Sequence, residues 1–266
     1  MKFKPQVTAL YLYPIKSTQP YCVQQATVTS EGLHFDRRFM LTDNNGAFIT
    51  ARKHGGLYDV TAYPTPQGLW IQHRDGSHIE VHYSDFTQTA LCTVWGTEFE
   101  SLVAKADINQ WFSEKLQSAV QLRWCGFASE RRIQRYPDTA LSFADGYPLL
   151  LTNQHSLEQV QRHCPVEIDM RQFRPNIVIQ HVQAFAENTW QRIKIGQIEF
   201  INAKACERCI LTTRDLASGQ LQPKSEPFRT LKKHFANEQG KPIFGANLIA
   251  MQSGVIHVGD TLEILA

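Results

Sequence analysis

Apolar and polar positions along this chain alternate mostly with the period of β-strands. From Val7 to Tyr13 apolar side chains recur in strand fashion, and Pro14 ends the run before a loop bearing Lys16 and Ser17. Asp36-Arg37-Arg38-Phe39 leads into a hairpin: Phe39 to Asp43, a turn at Asn44-Asn45-Gly46, and a return from Ala47 to Ala51. A second hairpin runs from Leu69 to His73, turns at Asp75-Gly76 and returns through His78 to Tyr83. On that return His78, Glu80 and His82 share one face, read as an exposed polar face, and no His-Glu-x-x-His motif is present.

The period turns helical where Asp107 and Gln110 read as a capping pair ahead of Ile108, Trp111, Phe112 and Leu116. Gln121 to Gly126 reads as a strand. Arg131, Arg132 and Arg135 follow in a polar, Pro-containing stretch, read as a solvated face with a mobile basic loop as the alternative. The domain boundary is placed here, dividing the chain into residues 1–125 and 126–266. After it, Leu149 to Leu151 is apolar, and Thr152-Asn153 caps a helix whose buried stripe is Leu157, Val160 and Cys164. Strands are expected at Ile177 to Ile179, Arg192 to Ile195 and Ile198 to Ile201. The β-branched residues after Cys209 (Ile-Leu-Thr-Thr) also favour a strand. Ser225-Glu226-Pro227 opens a helix with Phe228, Leu231 and Phe235 inward. Phe244 to Asn247 enters another strand, and Thr261 to Leu265 closes the chain.

Composition narrows the class. With 266 residues, 42% hydrophobic and 20% charged, the chain is an ordinary globular one, long enough for a large core. A net charge of +2 gives no reason to expect a nucleic-acid or membrane surface, so an anionic partner must be met locally. No apolar run approaches a membrane span and the start is no signal peptide. The six scattered cysteines are therefore expected to be reduced, in the cytoplasm. Walker, Gly-x-Gly-x-x-Gly and Gly-x-Ser-x-Gly motifs are missing, as are internal repeats.

The chemistry concentrates at Cys206-Glu207-Arg208-Cys209. Arg208 would stabilise a neighbouring thiolate, the form of sulfur that attacks electrophiles or binds soft metals. The pair has no second pair to complete a structural zinc site. Spacing alone leaves metal ligand, nucleophile and plain buried cysteine open. Arg174 precedes Pro175 and is expected to be extended, a pose suited to gripping an anion.

Taken in order, Tyr13-Pro14-Ile15-Lys16-Ser17, Asp36-Arg37-Arg38-Phe39, Phe173-Arg174-Pro175-Asn176-Ile177, Cys206-Glu207-Arg208-Cys209-Ile210 and Gly254 to Asp260 are together distinctive. The chain resembles, over nearly its whole length, the MOSC (molybdenum cofactor sulfurase C-terminal) family, in the branch of YcbX-like bacterial proteins and the mitochondrial amidoxime-reducing component. The resemblance implies a mixed, β-rich fold: an N-terminal β-barrel MOSC_N domain, then a MOSC β-barrel domain with a few short helices. It also implies a molybdenum–molybdopterin cofactor.

By matched motif, Cys209 would ligate molybdenum and Cys206 would be a supporting or structural thiol. Lys16, Ser17, Arg37 and Arg174 would grip the cofactor's phosphate and pterin. Thr152, Asn153, Asn176, Glu207, Arg208 and Asn247 fall where other cofactor contacts are expected. The activity implied is reduction of N-hydroxylated or N-oxide compounds by oxygen-atom transfer, a detoxifying oxidoreductase chemistry. The chain ends at Ala266 without a ferredoxin domain or its iron–sulfur cysteine spacing. Electrons are therefore expected from a separate flavoprotein reductase, ferredoxin or cytochrome b5. Two further readings stand beside this one. The chain could be a persulfide carrier in cofactor sulfuration, although it lacks the PLP domain of sulfurases, or a molybdopterin-delivery protein without turnover.

Overall fold

A computed structural model describes residues 4–266 as a β-rich protein with three α-helices. The largest sheet has eight strands, and the chain's two ends meet in it. Strand Gln6–Leu12 pairs antiparallel with Ile177–Gln180, which runs parallel to Leu149–Asn153. Ile243–Ala250, Ile198–Glu207, Arg192–Ile195 and Leu262–Ile264 continue the order. The sheet then curls back on itself: Val7 N donates to Asp260 O, and Gly259 N to Val7 O. Its interior is packed with apolar side chains, among them Leu10, Ile177, Ile193, Phe200 and Leu248.

A second core forms where Phe39–Thr42 pairs with Gln121–Trp124, which pairs with Thr97–Ala104 and through it with Phe86–Val94. Helix α1 (Ala106–Leu116) closes this core with Ile108 and Phe112. Helices α2 (Gln154–His163) and α3 (Phe228–His234) flank the large sheet. In α2 the expected stripe of Leu157, Val160 and Cys164 is buried against Phe173 and Phe244.

Several local expectations are corrected. Residues Ile210–Thr213 form a 3-10 turn, and the strand here is the ten-residue Ile198–Glu207 that precedes Cys209. The reason is local: Thr212 and Thr213 hydroxyls donate to the carbonyls of Cys209 and Ile210, offering the backbone an alternative to a ladder. Arg174 is left-handed (φ 57, ψ 49), because it caps the 3-10 turn Met170–Phe173 and donates its N–H to Arg171 O. Arg131 is buried, where it donates to the carbonyls of Ser142 and Ala144. Helix α1 begins at Ala106 with no side-chain cap, leaving Asp107 as first-turn charge only. The return after Asn44-Asn45-Gly46 makes isolated bridges instead of a regular strand. Phe228 is half-exposed on α3.

Candidate functional site

Backbone pairing brings the distant motifs together. Lys16 N donates to Phe39 O, Arg37 N to Tyr13 O and Phe39 N to Pro14 O, which zips the Tyr13–Lys16 loop to the Arg37–Phe39 segment. Asn176 N donates to Leu150 O while Tyr11 N donates to Asn176 O, and this fixes the Arg174 turn beside that loop. Strands Ile198–Glu207 and Ile243–Ala250, side by side, deliver Cys206, Glu207 and Asn247 to the same end. The result is a cleft of about 360 Å³.

Its charge is strongly one-sided. Among charged lining residues six are basic (Lys16, Arg37, Arg52, Arg174, Lys204, Arg208) and two acidic (Asp145, Glu207). In a chain of net charge +2 this is a deliberate concentration of cation. Arg37 and Arg174 lie over Tyr13, with guanidinium carbons 4.4 and 4.2 Å from the ring centroid. Burial pushes the Tyr13 phenol up, so the ring between these cations stays neutral. Arg37 is tied to Asp36 and donates to Asn176 Oδ1 (3.1 Å) and Arg174 O (3.2 Å). Arg174 donates Nη1 to Thr18 O at 2.7 Å, yet its buried Nη2 has no protein partner. Arg208 donates to Cys206 Sγ (2.9 Å) and Phe173 O (2.6 Å), and its buried Nε is likewise unpartnered. Unmade bonds on buried guanidinium nitrogens are costly unless a ligand completes them.

Lys16 is buried, donates to Phe143 O at 2.7 Å and is ion-paired with Asp145. Burial pushes its ammonium down to about 8, against the pull of Asp145. Burial also opposes ionisation of Asp145, but the Lys16 and Arg52 charges and a Trp95 Nε1–H bond (3.0 Å) hold its carboxyl well below the usual range. Ser17, Arg37 and Arg174 all have left-handed backbone (φ 72, 50 and 57). For non-glycine residues such geometry costs about 1–3 kcal/mol each and gathers at ligand clamps.

Cys209 is exposed on the cleft wall at the start of the Ile210–Thr213 turn. Glu207 is ion-paired with Lys204 at 3.2 Å. Among the described residues no three His, Cys, Asp or Glu side chains converge as a metal cage, so a metal here would have few protein donors. Thr152 and Asn153 do not line the cleft. Asn153 caps α2 by accepting from His155 N and donates to Gln183 O and Glu187 Oε2, so its side chain is spent elsewhere. Thr152 is fully buried in its strand. The cleft also holds Arg52, Asp145, Gln172 and Lys204, which sequence reasoning did not single out. The strand His78–His82 keeps its polar face outward, with Val81 buried.

In this β-rich fold one cleft thus gathers a majority of cations and one exposed thiol. The chain belongs to the MOSC family: residues 4–119 match the model of the MOSC N-terminal beta barrel domain and residues 138–263 that of the MOSC domain. It groups with the amidoxime-reducing branch. Human mitochondrial amidoxime-reducing component 1 is 28% identical over 97% of this chain and 82% of that protein. Mitochondrial amidoxime reducing component 2 of Macaca fascicularis is 27% identical over 96% and 82%. The molybdenum cofactor sulfurase of Oryza sativa is 26% identical over 89% of this chain but 31% of its own length. Among solved structures, the YUAD protein of Bacillus subtilis is 10% identical with a TM-score of 0.46, covering 98% of this chain and 94% of that one. The family is linked to molybdenum cofactor binding or sulfuration. No described helix is long and apolar enough to cross a membrane.

Proposed function

We propose that this protein is a molybdenum-cofactor-dependent oxidoreductase that reduces N-hydroxylated compounds. The observation that carries the reading is the pair of unpartnered buried nitrogens, Arg174 Nη2 and Arg208 Nε, in a cleft of six cations beside an exposed thiol. A phosphorylated, sulfur-rich cofactor asks for those two chemistries: guanidinium donors for the phosphate and a soft thiolate for the metal. Lys16, Ser17, Arg37 and Arg174 would hold the phosphate and pterin, with Asn176, Glu207, Arg208 and Asn247 around them, and Cys209 would supply the thiolate. Bound there, the cofactor would supply two-electron abstraction of oxygen from an N–O bond.

The chain's own residues would prepare the site. Asn176 accepts a hydrogen bond from Arg37, and both Arg37 and Arg174 lie over the Tyr13 ring. Arg52, 3.4 Å from the Cys209 sulfur, holds that side chain toward the cleft. The amidoxime-reducing names of the relatives support the substrate class. Electrons would come from a separate carrier protein.

The test is metal and pterin content of freshly purified protein from a host that makes the cofactor, beside Cys209→Ala. Near-stoichiometric molybdenum with a fluorescent pterin derivative, lost in the variant, is expected. Retained N-hydroxy reduction by Cys209→Ala would sink the assignment. A persulfide on Cys209 is the second reading, favoured by the similarity to the rice sulfurase. Cyanide-labile sulfur without molybdenum would select it.

A further inference from the structure

Past Cys209, outside the cleft, lies a second concavity of about 550 Å³. It is lined by the apolar Ile210 and Phe228 and by four cations, Lys224, Arg229, Lys232 and Lys233, with no carboxylate among its lining residues. Among the described residues none of the four is in an ion pair. Ile210 is 37% exposed. The helix dipole accounts for Lys232 and Lys233, which stand in the last turn of α3, but not for Lys224 or Arg229.

An exposed isoleucine beside a half-buried phenylalanine, ringed by unpaired cations, has the composition of a docking face for an acidic protein. The apolar centre supplies affinity and the ring of charge steers encounter and selects the partner. Location identifies the partner's chemistry. Ile210 follows Cys209 directly, and α3 lies against the turn Ile210–Thr213, so a protein seated here stands beside the cleft wall without filling the cleft. We infer that this face docks an acidic electron-carrier protein that feeds the site. The inference rests on the oxidoreductase reading above. Cleaving an N–OH bond to N–H and water takes up two electrons and two protons, so a one-electron carrier docks twice per turnover and leaves oxidised by one electron each time. Such a contact must be brief, and a charge-steered face favours fast exchange.

The test uses the full chain carrying its cofactor, and the double variant Arg229→Glu/Lys232→Glu, whose side chains are exposed. Two acidic carriers serve as probes, a [2Fe–2S] ferredoxin and a cytochrome b5. Association is measured by calorimetry at low and at physiological salt. At least one carrier should bind the wild type with marked salt dependence, and the variant should bind it at least about tenfold more weakly. Reduction of an N-hydroxyamidine driven by a reduced viologen should be equal in both proteins. If neither carrier binds the wild type, or the variant binds within about twofold of it, the docking assignment is overturned. Absence of viologen-driven turnover in the wild type overturns the oxidoreductase reading instead, while the binding comparison still decides the docking face.

Discussion

Arg52 and Cys209, 157 residues apart in sequence, meet across the cleft with Nη2 3.4 Å from the sulfur. The same Nη2 reaches Asp145 Oδ2 at 3.1 Å, and the guanidinium lies 4.6 Å from the centroid of the Trp95 ring. Asp145 in turn pairs with Lys16. One chain of contacts therefore runs from the exposed thiol to the buried ammonium, so the edge proposed for the metal and the floor proposed for the phosphate are mechanically joined.

Cys209 is exposed, so its packing contributes little to the fold. Cys209→Ala should change unfolding free energy by no more than about 0.5 kcal/mol. Molybdenum content should drop to trace. Denaturant unfolding and metal analysis on the same preparation check both halves.

Burial ranks the cations. The Arg174 residue is 7% exposed with an unpartnered Nη2, whereas the Arg52 side chain is 18% exposed and already paired with Asp145. Arg174→Met should weaken cofactor retention by about 1.5–3 kcal/mol, roughly ten- to a hundredfold. Arg174→Lys should recover little, because an ammonium lacks the planar fork and the second donor direction. Arg52→Met should cost less than about threefold. Pterin retained after dialysis is the readout.

Lys16 carries a pH dependence with two opposite signs. Its folded-state value of about 8 lies below the ordinary 10.5. As pH rises past about 8 the cleft loses a positive charge, so affinity for a phosphate monoester should fall, and Lys16→Arg should flatten the profile. Between about 8 and 10.5 the unfolded chain binds the more protons at this residue, so the ligand-free fold should gain stability from it as pH rises. Stability measured against Lys16→Met across that window isolates the contribution.

Gly245 lies inside the strand Ile243–Ala250, two residues before Asn247, with φ +79. A Cβ there would lie 2.5 Å from Leu151 O and 2.9 Å from Thr152 Cγ2. Gly245→Ala should cost about 1–3 kcal/mol from backbone strain alone, with the clash added. Urea denaturation would report it as a lowered midpoint with an unchanged slope.

Much of the site was legible because its residues stand in local motifs. Lys16-Ser17, Arg37, Arg174-Pro175-Asn176 and Cys206 to Cys209 could be picked out one stretch at a time, and the fold brings them to one cleft. Arg52 and Asp145 could not be. Arg52 sits in a plain Thr-Ala-Arg-Lys segment, and Asp145 in a turn whose partner Lys16 is 129 residues away. Arg174 departs from the extended pose for a related reason: the 3-10 turn it terminates outweighs the restriction imposed by Pro175. Asn153 is legible as a cap, but its bond to Glu187, 34 residues away, is not.

Alternating apolar positions and turn residues by themselves determined the β-rich class, about half of the strands and helix α2. Those are properties of neighbours along the chain, and periodicity reports them. Tertiary structure alone decided which cations are buried, which nitrogens lack a partner, and that the first strand completes a sheet built largely from the last half. Burial and unmet hydrogen bonds depend on which distant segments exclude water together, and no local pattern carries that information.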